Sequence, residues 1–179
     1  MGAFGERAGR VFSVENESCG LVRDGSGPVV IDNNPAAIMT GLRQELDRLR
    51  LTHDSSCICV VSPDGDDAAL AMDGFGKRFA TKLRSYDAIC RFADDKYLVM
   101  LPHISRKDAV GVIKRLRIQV IGEPFPIDGG GKVMVTASFG GTMLDSEAPL
   151  HEHIDRASEA HGWALKGMGD SICLWTPKL

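Results

Sequence analysis

The sequence predicts an α+β fold: a ferredoxin-like mixed β-sheet flanked by helices, with a central β-hairpin at residues 88–101. Three observations predict it. Apolar patterns succeed one another as helix, strand, helix, hairpin, helix, strand, helix, strand, and a hairpin between helices excludes a uniformly parallel βαβ series. Ala88-Ile89-Cys90-Arg91-Phe92, a polar Ala93-Asp94-Asp95-Lys96 and Tyr97-Leu98-Val99-Met100-Leu101 read as strand, tight turn, strand. No heptad and no longer repeat is present, which excludes coiled coils and solenoids.

Residues 1–34 are irregular apart from two short apolar runs, Gly20 to Arg23 and Pro28 to Ile31, around the Gly-rich turn Asp24 to Gly27. They read as an N-terminal appendage or linker with a short hairpin, ahead of a domain spanning 35–179. Asn33-Asn34-Pro35 punctuates the chain before the first helix. Ile38, Leu42, Leu46 and Leu49 recur at helical spacing among charged residues, so about 36–51 form an amphipathic helix. Cys57 to Val61 is a continuous apolar run ended by Ser62-Pro63-Asp64-Gly65, as a central strand would be. Met72, Phe75, Phe79 and Leu83 stripe a second helix ending near Arg84. After the hairpin, Ser105 is placed to cap a helix carrying Ala109, Val112, Ile113, Leu116 and Val120. A strand over Val133 to Gly140, a helix over about 150–166 and a closing strand from Ser171 to Trp175 complete the series.

Composition narrows the function classes. The chain has 179 residues, 44% apolar and 25% charged, with net charge −3, which fits one globular domain plus an appendage. No apolar run reaches the ~18 residues of a membrane span, and Met1 to Arg10 has no apolar core of the kind a secretory signal needs. The low net charge speaks against a nucleic-acid partner. Five cysteines, an odd number without a CxxC pair, point to neither a disulfide framework nor a zinc site. Cys57, Cys59, Cys90 and Cys173 lie in apolar runs and read as buried reduced thiols, consistent with the cytoplasm. Locally the balance reverses: residues 82–117 hold nine of the 21 Lys and Arg against four acids.

The stretch Arg91-Phe92-Ala93-Asp94-Asp95-Lys96-Tyr97-Leu98-Val99-Met100-Leu101-Pro102 resembles the R-Y-G-G-D-E-F strand-turn-strand of GGDEF domains, the catalytic modules of diguanylate cyclases. Val135 to Gly140 is similar to that family's V-T-x-S-x-G strand. Ser158 to Gly169 is similar to its A-D-x-A-L-Y-x-A-K-x-x-G helix end, and Ile113 to Arg117 to its A-E-x-I-R segment. The resemblance covers about residues 36–176 and implies a nucleotidyl-cyclase-type sheet.

Departures from the family pattern imply a catalytically inactive, degenerate member. The turn glycines, which approach phosphates closely and adopt positive φ, are Ala93 and Asp94. Asp95 keeps an acid, but the next acidic position is Lys96, a cation where Mg²⁺ needs oxygen ligands. The metal-binding aspartate ending the first strand aligns with Ser62. Only Pro63 to Ala71 stands where the family has a guanine-gripping helix and loop. Lys166 survives, while the late arginine is Asp170. No catalytic residue, metal or cofactor is therefore expected.

The resemblance also implies a second site. GGDEF domains often carry R-x-x-D five residues ahead of the turn, where it binds cyclic di-GMP as an inhibitor. Arg84-Ser85-Tyr86-Asp87 has that placement, and Arg115 falls where a third, helix-borne arginine completes it. An arginine fork suits guanine O6 and N7 or phosphate oxygens, and a carboxylate suits the guanine N–H edge. The expectation is a cyclic di-GMP receptor in bacterial signalling, acting as a homodimer or through an attached domain. The alternative is a protein-interaction or dimerisation module without nucleotide. Arg91-Phe92-Ala93-Asp94 repeats the R-x-x-D pattern, so position rather than pattern carries the inference. His151 and His153 diverge at i,i+2 on a helix and suggest no metal site. Gly129-Gly130-Gly131 precedes a strand, as a loop does, and Trp163 and Trp175 read as near-core aromatics.

Overall fold

The computed structural model describes residues 34–177; the expected hairpin within 20–31 lies outside them. Asn34 accepts a hydrogen bond from the Ala36 N–H at 3.0 Å and opens α1, Pro35–Leu51, whose Ile38, Leu42, Leu46 and Leu49 are all buried as the spacing predicts. The remaining elements are β1 (Cys57–Asp64), α2 (Ala68–Lys82), β2 (Ala88–Ala93), β3 (Lys96–Leu101), α3 (Arg106–Ile121), β4 (Phe125–Pro126), β5 (Lys132–Val133), β6 (Thr136–Met143), α4 (Leu150–Lys166) and β7 (Ile172–Leu174). Ser105 caps α3 by accepting from the Asp108 N–H, as expected.

The main sheet has the order β2-β3-β1-β6-β7. All its neighbours are antiparallel except β6 and β7. The class is α+β, as the sequence predicts. Alternate residues of β1 enter two cores. Cys57, Cys59 and Val61 face α2 and α3 with Phe75, Phe79, Phe125 and Phe139, while Ile58 and Val60 face α1 and α4. Helices therefore cover both faces. Two glycines permit the closest approaches. A Cβ on Gly140 would overlap the backbone of His161 on α4, and one on Gly76 would overlap the Tyr97 ring.

The elements differ from expectation in four places. β1 continues through Ser62 and Pro63 to Asp64, because β6 pairs with it over its whole length while β3 pairs only as far as Val61. Proline is tolerated beyond the end of that second partner. α2 stops at Lys82, and Leu83 is already extended. The strand expected over 133–140 is divided: Lys132–Val133 pairs with Phe125–Pro126, Met134 is exposed, and β6 begins at Thr136. Cys57, Cys59 and Cys90 are buried, but Cys173 is half-buried on β7 at the sheet edge.

Because β2 and β3 are antiparallel with Ala88 opposite Met100, the segment before β2 lies beside the segment after β3. The hairpin turn, opposite, lies near the C-terminal end of β1. The two places singled out in the sequence thus sit at opposite ends of the sheet.

Candidate functional site

At the first end, residues 84–87 form a turn closed from both sides. The Asp87 N–H donates to the Arg84 carbonyl at 2.9 Å, and the Arg84 N–H donates to Asp87 Oδ2 at 2.7 Å. This is the local bond that an aspartate three residues on can make. The Arg84 guanidinium returns over the same carboxylate. Its Nε lies 3.0 and 3.1 Å from the two oxygens, its Nη2 donates to Oδ1 at 2.7 Å, and Nη2 donates also to the Pro102 carbonyl at 3.0 Å. Asp87 is only 3% exposed. Partial burial alone would weaken the charge on Arg84, but the Asp87 carboxylate outweighs it and holds the guanidinium pKa above its usual value. The guanidinium also lies over the Tyr86 ring, 4.6 Å from its centroid.

The structure thus brings Arg84 and Asp87 together, with Asp87 spent on Arg84 rather than presented to solvent. Arg115 is exposed on α3 and, among the described residues, makes no hydrogen bond or ion pair with either. The second R-x-x-D behaves differently. Arg91 donates to the Ala93 and Asp94 carbonyls and pairs with Asp73, leaving the Asp94 carboxylate out. Of the nine cations between 82 and 117, Arg84, Arg91, Lys96 and Arg117 are ion-paired, so the basic stretch is partly neutralised.

At the second end, a cleft of about 800 Å³ opens between the end of β1, the start of α2, the hairpin turn and the end of α4. Ser62, Asp94, Asp95 and Lys96 line it, together with Asp64 and His161. Ala93 and Lys166 are exposed but are not among its lining residues. Ser62 Oγ is hydrogen-bonded to His161 Nε2 at 2.8 Å. Burial pushes the His161 imidazole below its usual pKa, and the nearby Lys96 charge adds to this against the opposing pull of Asp64 and Asp95. Asp64 accepts from Ser138 Oγ at 2.6 Å and from the Asp170 N–H at 3.0 Å. No residue from Ala93 to Lys96 has positive φ, so the turn is one that non-glycine residues adopt without strain. Three residues separate the end of β1 from the start of α2, which leaves no room for an additional helix. Among the described residues, no group of three or more His, Cys, Asp or Glu is placed to hold a metal ion.

Sequence reasoning missed His161, Asp64, Tyr86 and His103. His161 carried a signal: it is a polar residue on the apolar stripe formed by Ala157, Ala160 and Ala164 of α4. Asp64 shared a strand face with Ser62 at i,i+2. His103 carried none, because its left-handed backbone, φ 55°, and its bond to Asp54 arise from tertiary packing.

Comparisons with known proteins accord with this architecture. The response regulator PleD of Caulobacter vibrioides is 27% identical over 96 residues, which is 53% of this chain and 21% of PleD. The chain therefore aligns with about a fifth of the curated relatives it matches. The diguanylate cyclase SiaD of Pseudomonas aeruginosa, solved with its activator SiaC, has a TM-score of 0.71 at 22% identity over 79% of this chain and 61% of SiaD. The GGDEF domain of DgcB from Caulobacter crescentus, solved with c-di-GMP, has a TM-score of 0.70 at 13% identity over 94% of this chain and 98% of that one. At these identities the likeness establishes a shared fold. The family model described as "Diguanylate cyclase, GGDEF domain" matches residues 65–168, more than half of the chain. With the sheet order and hairpin in place, the chain belongs to the GGDEF domain family.

Proposed function

We propose that this GGDEF domain is a catalytically inactive cyclic di-GMP receptor in bacterial second-messenger signalling, binding through Arg84, Asp87 and Arg115. The observation that carries the reading is the closed 84–87 turn, which holds an arginine in one orientation at the position the family uses for cyclic di-GMP. Asp87 acts by orienting Arg84, and the exposed Arg115 supplies a further cation to a dianionic ligand.

Inactivity is supported from the other end of the sheet. Phosphoryl transfer rests on positioning and on charge neutralisation by metal. The residues present do not fit a divalent cation. Ser62 is engaged by His161, the Lys96 ammonium lines the same cleft, and the carboxylates of Asp94 and Asp95 add like charge where a triphosphate would lie. A cytoplasmic setting belongs to the same proposal; among the described residues no helix is long and apolar enough to cross a membrane.

Calorimetric titration tests the receptor. Cyclic di-GMP should give a saturable heat with the wild type and none with Arg84→Ala, and absence of heat with the wild type overturns it. Incubation with GTP and Mg²⁺ should yield no cyclic di-GMP, and product formation overturns inactivity. A second reading, an interaction or dimerisation module, is favoured by Val110 and Ile118, exposed two turns apart on α3. It requires that Val110→Asp with Ile118→Asp abolish self-association or partner capture while Arg84→Ala leaves it intact.

A further inference from the structure

The donors of Arg84 are mostly committed within the protein. A guanidinium has five N–H donors. Nε is committed to Asp87, and Nη2 is shared between Asp87 and the Pro102 carbonyl. Among the described residues, Nη1 is the nitrogen with no bond to a carboxylate or carbonyl. Reading guanine O6 and N7 together takes two parallel N–H groups, and one of the pair is already held by Pro102. Arg84 can attract the ligand, but other groups must orient the ring.

Two rings stand in the right place. Tyr86 is 49% exposed and has the Arg84 guanidinium over it. The His103 imidazole meets Tyr86 edge-on, with centroids 5.6 Å apart and planes at 84°. His103 is not loosely placed. Its backbone is in the left-handed region, φ 55°, its Nδ1 is bonded to Asp54, and the next residue's N–H donates to the Ser55 carbonyl at 2.9 Å. Its side chain remains 51% exposed. A non-glycine residue at positive φ costs conformational energy that the surroundings must offset, and such residues gather at ligand sites. A cation and an imidazole held by their own partners, beside a tyrosine ring that each of them touches, with both rings about half open to solvent, make a surface for a planar ring joined to an anion.

We infer that Tyr86 and His103 form the stacking half of the Arg84 site and hold a guanine ring of cyclic di-GMP. The inference rests on the receptor reading above. The bland alternative is that Tyr86 merely shields the Arg84–Asp87 pair from water.

Titration of cyclic di-GMP against Tyr86→Phe, Tyr86→Leu and His103→Ala separates the two. Tyr86→Phe keeps the ring and should bind as the wild type does. Tyr86→Leu keeps apolar cover but lacks a π face, and should weaken binding about 10- to 100-fold, the effect of one lost base–aromatic stack, with an unchanged melting temperature. His103→Ala should weaken it in the same direction. If Tyr86→Leu and His103→Ala bind normally while Arg84→Ala does not, the stacking role is wrong and the receptor stands. If the wild type does not bind, both fall. Should Tyr86→Leu fail to fold, His103→Ala decides by the same criterion.

Discussion

Asp87→Ala removes the acceptor that closes the turn between α2 and β2, and its cost can be worked from the contacts. The carboxylate takes the Arg84 backbone N–H at 2.7 Å and the guanidinium through Nε and Nη2. Side-chain exposure is 2% for Asp87 and 31% for Arg84. A hydrogen bond to a charged group contributes about 1.5–3 kcal/mol, and breaking a fully buried pair costs about 3–5 kcal/mol. Arg84 can turn its freed donors toward water, which places the loss near the lower end, about 2–3 kcal/mol. For a domain of this size that lowers Tm by roughly 5–10 °C. Urea denaturation of the wild type, Asp87→Ala, Arg84→Ala and the double variant measures both the loss and its coupling, expected to be at least about 1 kcal/mol. A loss below about 0.5 kcal/mol is the value of an exposed pair. It would refute the view that Asp87 is a buried anchor for Arg84.

Other outcomes follow from the same contacts. Gly140→Ala sets a methyl group against the His161 backbone and the Ala157 carbonyl. It should cost at least about 2–3 kcal/mol by overpacking, and a near-neutral urea midpoint would contradict the packing of α4 on β6. Because burial depresses the His161 pKa, the unfolded chain protonates first as pH falls through 6.5. Stability is full above that pH and is lost as pH falls toward the folded value. His161→Gln should flatten part of this loss, His153 contributing the rest with the same sign; a variant with the whole wild-type slope refutes the assignment. Asp54 is held at about 2 by the Ser55 N–H, then by Arg48 and His103. Its contribution is present above the ordinary value of 3.8 and is lost as pH falls through about 2. Asp54→Asn should be less acid-sensitive in that window and less stable at neutral pH by at most about 1 kcal/mol. An unchanged acid transition counts against the Arg48–Asp54–His103 contacts.

The elements most legible in the sequence are those whose signal is local. The stripe Ile38, Leu42, Leu46, Leu49 is buried as its period requires, and the alternation about Ala93–Lys96 forms the hairpin. The Val133–Gly140 run reads as one strand because periodicity registers an apolar strand without naming its partner. Val133 pairs with Phe125, and that pairing splits the run. The candidate site was legible only as positions along the chain. The position of Arg84 and Asp87 could be read along the chain, whereas the burial of Asp87 could not.

Sequence alone determined the fold class, the family and the succession of the four helices and the main-sheet strands, because helical period, strand alternation and turn chemistry act over a few residues and survive in any context. Tertiary structure decided which of two R-x-x-D patterns forms an ion pair. Arg84 meets the Asp87 carboxylate and the Pro102 carbonyl, whereas Arg91 is drawn to its own turn and to Asp73. It also decided that Ser62 faces His161, 99 positions away, and that Tyr86 meets His103. Those contacts depend on how closely the backbones of α4 and β6, or of two adjoining loops, approach each other. No pattern within one segment records that distance.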